Sequence, residues 1–317
     1  MARLSDLIRE QTSDPKSGGP PRTQAAALSL DADRCWYVST RQELQRVREA
    51  VRSNKAPQFK GCADLAGRLV QLLRRSDELI GWVLDGHAED YLVDNALHVA
   101  VLGAKVGMGL QYSEEDLERL ALAGLLHDIG MWTLPESLVE RSGSFSEDER
   151  DLLRTHPERG RRILAGHGSV FEWVSVISAQ EHERWDGSGY PCRLKGNQIT
   201  EPAQIIGIVD VLDAMATARP YRKSLTPHQA IRDLLLHAKT TFSLRVLKAM
   251  GDQITLYPVG TRIRLSTGEI GTVRKINSRY PLRPVVALSK FGEVTELDLS
   301  QGMSSHITEV LQPMAAS

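Results

Sequence analysis

Three histidines and two aspartates recur at nearly equal steps along this 317-residue chain: His127 with Asp128 beside it, then His156, His182 and Asp210, at intervals of 29, 26 and 28 residues. Each interval holds about one helix and its connection, so the ends of successive helices can bring these side chains to one centre, as in metal sites built within helical bundles. Neutral imidazole suits Zn, Fe, Ni or Cu, and carboxylate oxygen extends the choice to Mn and Mg. Taken singly, each histidine has an ordinary reading as a polar group with hydrogen-bond partners; the metal reading rests on the set. His127 closes the apolar run LALAGLL, where a buried titratable group is costly unless paired or metal-bound. Adjacent His127 and Asp128 reach one locus only if the helix end kinks, and Gly130 supplies a break. His182 is followed by ERWDGSGYP (183–191), a loop too specific in composition to be mere connection.

The elements that must carry these residues are helices. Apolar residues recur at three- and four-residue steps over 65–84, 90–108 and 114–127, and again over 170–180 and 202–217. Ser146 with Glu149 forms a capping box that opens a helix running to Thr155. Thr226-Pro227 puts a capping hydroxyl and a first-turn proline before AIRDLLLHA. After Tyr257-Pro258 come short β-prone runs, TRIRLS, EIGTVRKIN, RPVVALS and EVTELDL, broken by Gly and Pro turns. The expected architecture is mainly α: a leader over 1–58, an all-helical domain over 59–257 and a small antiparallel β module over 258–317. In the leader, 11–23 reads as a flexible Pro/Gly-rich linker and 41–53 as one short charged helix, the remainder being largely extended.

Composition narrows the class. The chain is 41% hydrophobic and 25% charged, which excludes disorder throughout. A net charge of −1 from 39 basic and 40 acidic residues supplies no field for a nucleic-acid polymer or anionic lipid. No uncharged run exceeds ten residues, so no membrane span is expected. Asp6 and Glu10 interrupt any signal peptide, and three widely separated cysteines make neither a disulfide framework nor a metal clip. These features lead us to expect a cytoplasmic protein.

At three ordered places the sequence resembles a known family. LLHDIG (125–130) is similar to the signature of HD-domain phosphohydrolases, HERWDGSGYP (182–191) resembles the second signature of the HD-GYP subfamily, and VDVLDAMATARPYR (209–222) is similar to its next block. The resemblance covers roughly 85–256. It implies a helical, metal-dependent phosphodiesterase that linearises cyclic di-GMP to pGpG and can go on to GMP in bacterial signal transduction. It implies two divalent ions (Fe, Mn or Mg) and two-metal hydrolysis, in which the ions stabilise the attacking and leaving oxygens. By the same resemblance His127, Asp128, His156, His182 and Asp210 are metal ligands, with Asp128 bridging and counted as catalytic; Glu181, which stands where the family has a histidine, is a further candidate ligand. Gly189, Tyr190 and Pro191 shape the substrate pocket. Arg219 and Arg222 hold phosphate, for which a guanidinium fork is suited, or else form surface ion pairs. Candidate partners are cyclic di-GMP and GGDEF-type or other signalling proteins.

Three positions depart from the family pattern. Asn95, in YLVDNALHVA (91–100), stands where the family has its first histidine ligand; His98, three residues on, either reaches the site by a small rotation or is a packed or capping histidine. Glu181 replaces the first member of a His-His pair, either as an anionic ligand favouring harder cations or as a solvated neighbour of one. Met131 replaces a lysine suited to phosphate contact or leaving-group protonation. Tyr91 stands where some relatives carry an extra acidic ligand, which argues against a third metal. Two readings follow: an active phosphodiesterase, or a weak or inactive domain that binds cyclic di-GMP or docks other proteins. Hydrolysis of a different nucleotide is a third, since fold alone does not fix substrate.

Overall fold

The computed structural model describes residues 24–311 apart from 85–87, 142, 218–224, 226, 255–256, 258, 276, 278–282, 291–292 and 302–304. The linker expected over 11–23 and the capping Thr226 lie outside the described residues.

The first described helix, α1 (Gln24–Arg52), is much longer than the stretch expected over 41–53. Trp36, Thr40, Leu44 and Val47 recur on one helical face and are all buried, and the Trp36 indole donates to the Leu65 carbonyl at 2.9 Å. The leader is thus helical from residue 24, because its apolar stripe has a surface to cover. That surface includes α2 (Lys60–Leu73), whose Leu65, Leu69 and Leu73 face inward. The apolar pattern over 65–84 is split in two: Ser76 Oγ accepts from the Glu78 amide, and α3 (Glu78–Leu84) starts afresh.

The centre of the molecule is α4 (Tyr91–Gly109), buried continuously from Val93 to Gly107. A helix hydrophobic on all sides must be wrapped on all sides. It packs against α5 (Glu114–Leu126), capped by Ser113, and α10 (Glu201–Ala216). A 3-10 turn (Ile129–Thr133) and α6 (Glu136–Val139) follow α5. Then come α7 (Glu147–Leu153), opened by the expected Ser146–Glu149 capping box, α8 (His156–Leu164) and α9 (Ser169–Gln180). The helical part closes with α11 (Pro227–His237) and α12 (Leu244–Gln253).

The C-terminal module is a five-stranded antiparallel sheet in the order β4-β3-β2-β1-β5. Its strands are β1 (Arg262–Leu265), β2 (Ile270–Lys275), β3 (Val285–Lys290), β4 (Glu293–Asp298) and β5 (Ile307–Leu311). The first four match the β-prone runs; β5 pairs with β1, Ile263 opposite Val310. No described helix is long and apolar enough to cross a membrane.

Candidate metal centre

The five spaced residues converge at helix ends. His127, the cap that follows α5, keeps helical backbone angles; Asp128 (φ −98°, ψ 16°) then turns the chain into the 3-10 segment, so both side chains face one locus. The expected kink is present, but Gly130 serves it by close approach: a Cβ there would lie 2.0 Å from the His156 carbonyl oxygen. Bulk at 130 would push α8, and His156 with it, away from Asp128. The imidazoles are fixed from behind. His127 Nδ1 donates to the Gly124 carbonyl (2.8 Å) and His156 Nδ1 to that of Leu153 (2.7 Å), which leaves both Nε2 atoms facing the centre. Ser178 Oγ donates to the His127 carbonyl at 2.6 Å and ties α9 to this turn. At the end of α9, Glu181 and His182 enter the same space, and Asp210 reaches it from α10.

Distances are short throughout. His156 Nε2 lies 3.1 Å from Asp128 Oδ1, 3.6 Å from Glu181 Oε1 and 2.9 Å from His182 Nε2. His127 Nε2 lies 3.8 Å from both Asp128 Oδ2 and Asp210 Oδ1. Two ligand groups result, Asp128/His156/Glu181/His182 and His127/Glu181/Asp210, each with its donor atoms within 4.8 Å of one another. Glu181 belongs to both and has no exposed surface, so it is not a solvated neighbour.

The residues fit divalent cations. Metal–ligand bonds of about 2.0–2.2 Å place donor atoms sharing an ion about 3–3.6 Å apart; the His156 contacts (2.9–3.6 Å) lie at about that spacing and the His127 contacts (3.8 Å) slightly beyond it. Moreover His127 Nε2, Asp128 Oδ1 and both Glu181 carboxylate oxygens are buried with no hydrogen-bond partner outside the cluster itself. Four such atoms facing one point are expensive unless a cation satisfies them. Protonation states of the side chains alone reflect this strain. Burial pushes the Glu181 carboxyl up to about 7. Burial by itself would lower His156, but the Asp128 carboxylate beside it raises it to about 10. Burial and the neighbouring His156 charge hold His182 well below its ordinary value. Asp128 is held low, against its burial, by His156 and His127.

Asn95 is no ligand. Its amide nitrogen donates to Asp210 Oδ1 (3.1 Å) and Asp213 Oδ2 (2.8 Å), and the opposite amide orientation would set its oxygen against two carboxylates. His98 does not reach the centre; its Nδ1 donates to Asp213 Oδ1 at 2.7 Å. The packed reading of His98 is therefore the correct one. Met131 lies in the 3-10 turn beside Asp128, where its thioether offers no proton.

In the GYP loop the Tyr190 ring stacks on His182, with centroids 4.8 Å apart and planes at 19°. Gly189 is required by crowding, since a Cβ would lie 2.4 Å from the Arg184 nitrogen. Pro191 is exposed and follows a cis peptide bond. Beside the loop is a cavity of about 260 Å³ lined by Arg154, Gly187, Ser188, Gly189, Tyr190 and Arg193. Arg219 and Arg222 lie outside the described residues. Two residues have roles that sequence reasoning missed. Glu183, almost fully buried, accepts from the Cys192 (2.6 Å) and Leu194 (2.9 Å) amides and shapes the loop. Arg184 donates to the carbonyls of Glu181 (3.0 Å) and Glu183 (2.9 Å) and so holds the ligand turn. Their adjacency to His182 was the available signal.

A helical core that gathers histidines and carboxylates at the ends of successive helices defines a metal-binding HD fold, and a family model described as "HD domain" matches residues 68–245. The chain belongs to that family. Its intact GYP loop and its curated relatives place it in the HD-GYP group. It is 32% identical over 215 residues to a cyclic di-GMP phosphodiesterase of Pseudomonas aeruginosa, covering 68% of this chain and 52% of that protein. It is 36% identical over 167 residues to the cyclic di-GMP phosphodiesterase response regulator RpfG of Xanthomonas campestris, covering 52% of this chain and 43% of that one. The chain thus spans about half the length of these curated relatives. Among solved structures, an HDG"Y"P protein from Bdellovibrio bacteriovorus shares the fold, with a TM-score of 0.59 at 19% identity, covering 73% of this chain and 74% of that one.

Proposed function

We propose that this protein is a metal-dependent phosphodiesterase that hydrolyses cyclic di-GMP to linear pGpG, GMP or both, with two divalent ions drawn from Fe, Mn and Mg. The observation that carries this reading is the set of buried, unpartnered donor atoms of His127, Asp128 and Glu181, with His156, His182 and Asp210 completing the shell. Bound divalent ions supply an acidified water, its pKa brought toward about 7, and positive charge against the phosphoryl oxygens.

The chain's own residues do the rest. The backbone bonds behind His127 and His156 keep their Nε2 atoms as acceptors. Asp128 is held as the carboxylate by its two histidine neighbours. Tyr190, stacked on His182, forms one wall of the adjoining cavity and excludes water from that side of the imidazole. Arg154 and Arg193 bring positive charge to the same cavity, where a phosphate diester would be attracted. Arg219 and Arg222 are assigned phosphate contacts, and GGDEF-type or other signalling proteins are assigned as candidate partners, on the family resemblance. A cytoplasmic location is proposed from cysteine usage, the three thiols being free.

A second reading, a cyclic di-GMP receptor or scaffold without turnover, is favoured by one specific observation: Asn95 presents a donor, not a ligand atom, to Asp210. One experiment separates the two. The purified chain is assayed for bound metal per monomer and incubated with cyclic di-GMP under Mn, Fe and Mg. Two ions and a linear dinucleotide or GMP product are expected. Tight nucleotide binding with at most one ion and no product would establish the receptor.

A further inference from the structure

Behind Asp210, a chain of buried polar groups runs from the metal centre to α1. Asn95 gives one amide proton to Asp210 and the other to Asp213, so its side chain has no rotational freedom left to it. Asp213 is 2% exposed and has both carboxylate oxygens partnered: besides Asn95 it accepts from His98 Nδ1 (2.7 Å) and Thr217 Oγ1 (2.8 Å). His98, 1% exposed, has its other nitrogen 3.3 Å from the Tyr37 hydroxyl, which lies equally far from Asp94 Oδ1. Tyr37 is on α1, His98 and Asn95 on α4, and Asp213 and Asp210 on α10. None of Tyr37, His98 or Asp213 supplies a donor atom to the two ligand groups. Buried charged and polar groups of this kind persist when each partner is satisfied. Here satisfaction fixes the angle at which Asp210 faces the centre.

We propose that Asp213 and His98 are positioning residues for the Asp210 side of the metal centre, and that Tyr37 makes the docking of α1 part of that positioning. The inference rests on the reading of the centre as a metal site given above. Outer groups that orient a ligand are worth roughly 10–100-fold in metal affinity. α1 is then an input to the site and more than a cover for its core: a displacement of this helix that withdraws Tyr37 loosens His98, then Asp213, then the Asn95 clamp on Asp210.

The test uses the full chain and Mn²⁺ alone, with free Mn²⁺ followed by its EPR signal, and melting in chelator as a separate measure of the fold. His98→Leu is expected to weaken the more weakly held ion about 10–100-fold. His98→Asn, which keeps a donor toward Asp213, recovers most of that loss. Tyr37→Phe weakens binding by a smaller factor while its metal-free melting stays with the wild type. Should His98→Leu fail to fold, Tyr37→Phe and His98→Asn still decide the matter. A wild-type Mn²⁺ isotherm in His98→Leu or in Tyr37→Phe, or a His98→Asn isotherm no better than that of His98→Leu, overturns the positioning role. A wild-type chain that binds two Mn²⁺ but leaves cyclic di-GMP intact overturns the hydrolase reading alone, and one that binds no Mn²⁺ overturns both.

Discussion

The Nε2 atoms of His156 and His182 lie 2.9 Å apart, from two rings set at 90° to one another. Each nitrogen also approaches the Glu181 carboxylate, at 3.6 and 3.3 Å. Two imidazoles so placed either share one proton or share one cation, and the second state leaves both rings neutral and both good ligands.

Loss of one ligand from this group should therefore empty it. His156→Ala or Asp128→Ala is expected to bring retained metal to zero at the His156/His182 side, read by elemental analysis after gel filtration. His127→Ala should do the same at the Asp210 side. An unchanged metal count in all three would refute the site.

On the proposed function, Glu181 should set the metal preference. It stands in both ligand groups as an anion, so hard cations are favoured. Glu181→His exchanges that anion for a neutral donor, and the ratio of Fe to Mn retained from a mixed solution should rise severalfold. A ratio that does not move would show that Glu181 is not coordinated.

The metal-free chain should lose stability between pH 7 and 9.5. His156, raised from 6.5 to about 10 by the Asp128 carboxylate against its burial, keeps in the fold a proton that the unfolded chain gives up. Its contribution is complete below pH 6.5 and disappears as the pH rises through 10. Glu181, raised from 4.5 to about 7 by burial, acts in the same direction between those values. His182, lowered by burial, acts oppositely but only below 6.5. Added Mn²⁺ should stabilise more at high pH than at low, because its ligands must be deprotonated. Thermal melts across that range, with chelator and with Mn²⁺, measure both trends; a flat metal-free profile would contradict the proton assignment.

Glu183→Ala should cost about 1–3 kcal/mol, because the Cys192 and Leu194 amides lose a buried acceptor. Urea denaturation gives this figure. If the proposed function holds, the same variant should raise KM for cyclic di-GMP more than it lowers kcat, since it perturbs the loop and leaves the candidate metal ligands in place.

Trp36→Ala should cost about 3–5 kcal/mol, a full aromatic lost from the core. A cost below about 1 kcal/mol, too small for a lost core aromatic, would mean that residues from 59 onward fold without α1.

The amino-acid sequence alone determined the types of the candidate ligands, their order and the helical rhythm that spaces them. His127, Asp128, His156, His182 and Asp210 were legible because each lies on or beside an element whose apolar period or capping is strong, and the capping box at Ser146 was legible because capping is a matter of four adjacent residues. The strands β1 to β4 were legible for the same local reason. Tertiary structure decided what depended on distant partners. Whether α1 is helical from residue 24 turned on the surface that Trp36 and Leu44 meet, which local pattern does not contain. Whether Glu181 is solvated turned on the packing of α9 against α10. The role of Asn95 turned on two carboxylates 115 and 118 residues away in the chain, whose negative charge obliges the amide to offer its protons and never its oxygen.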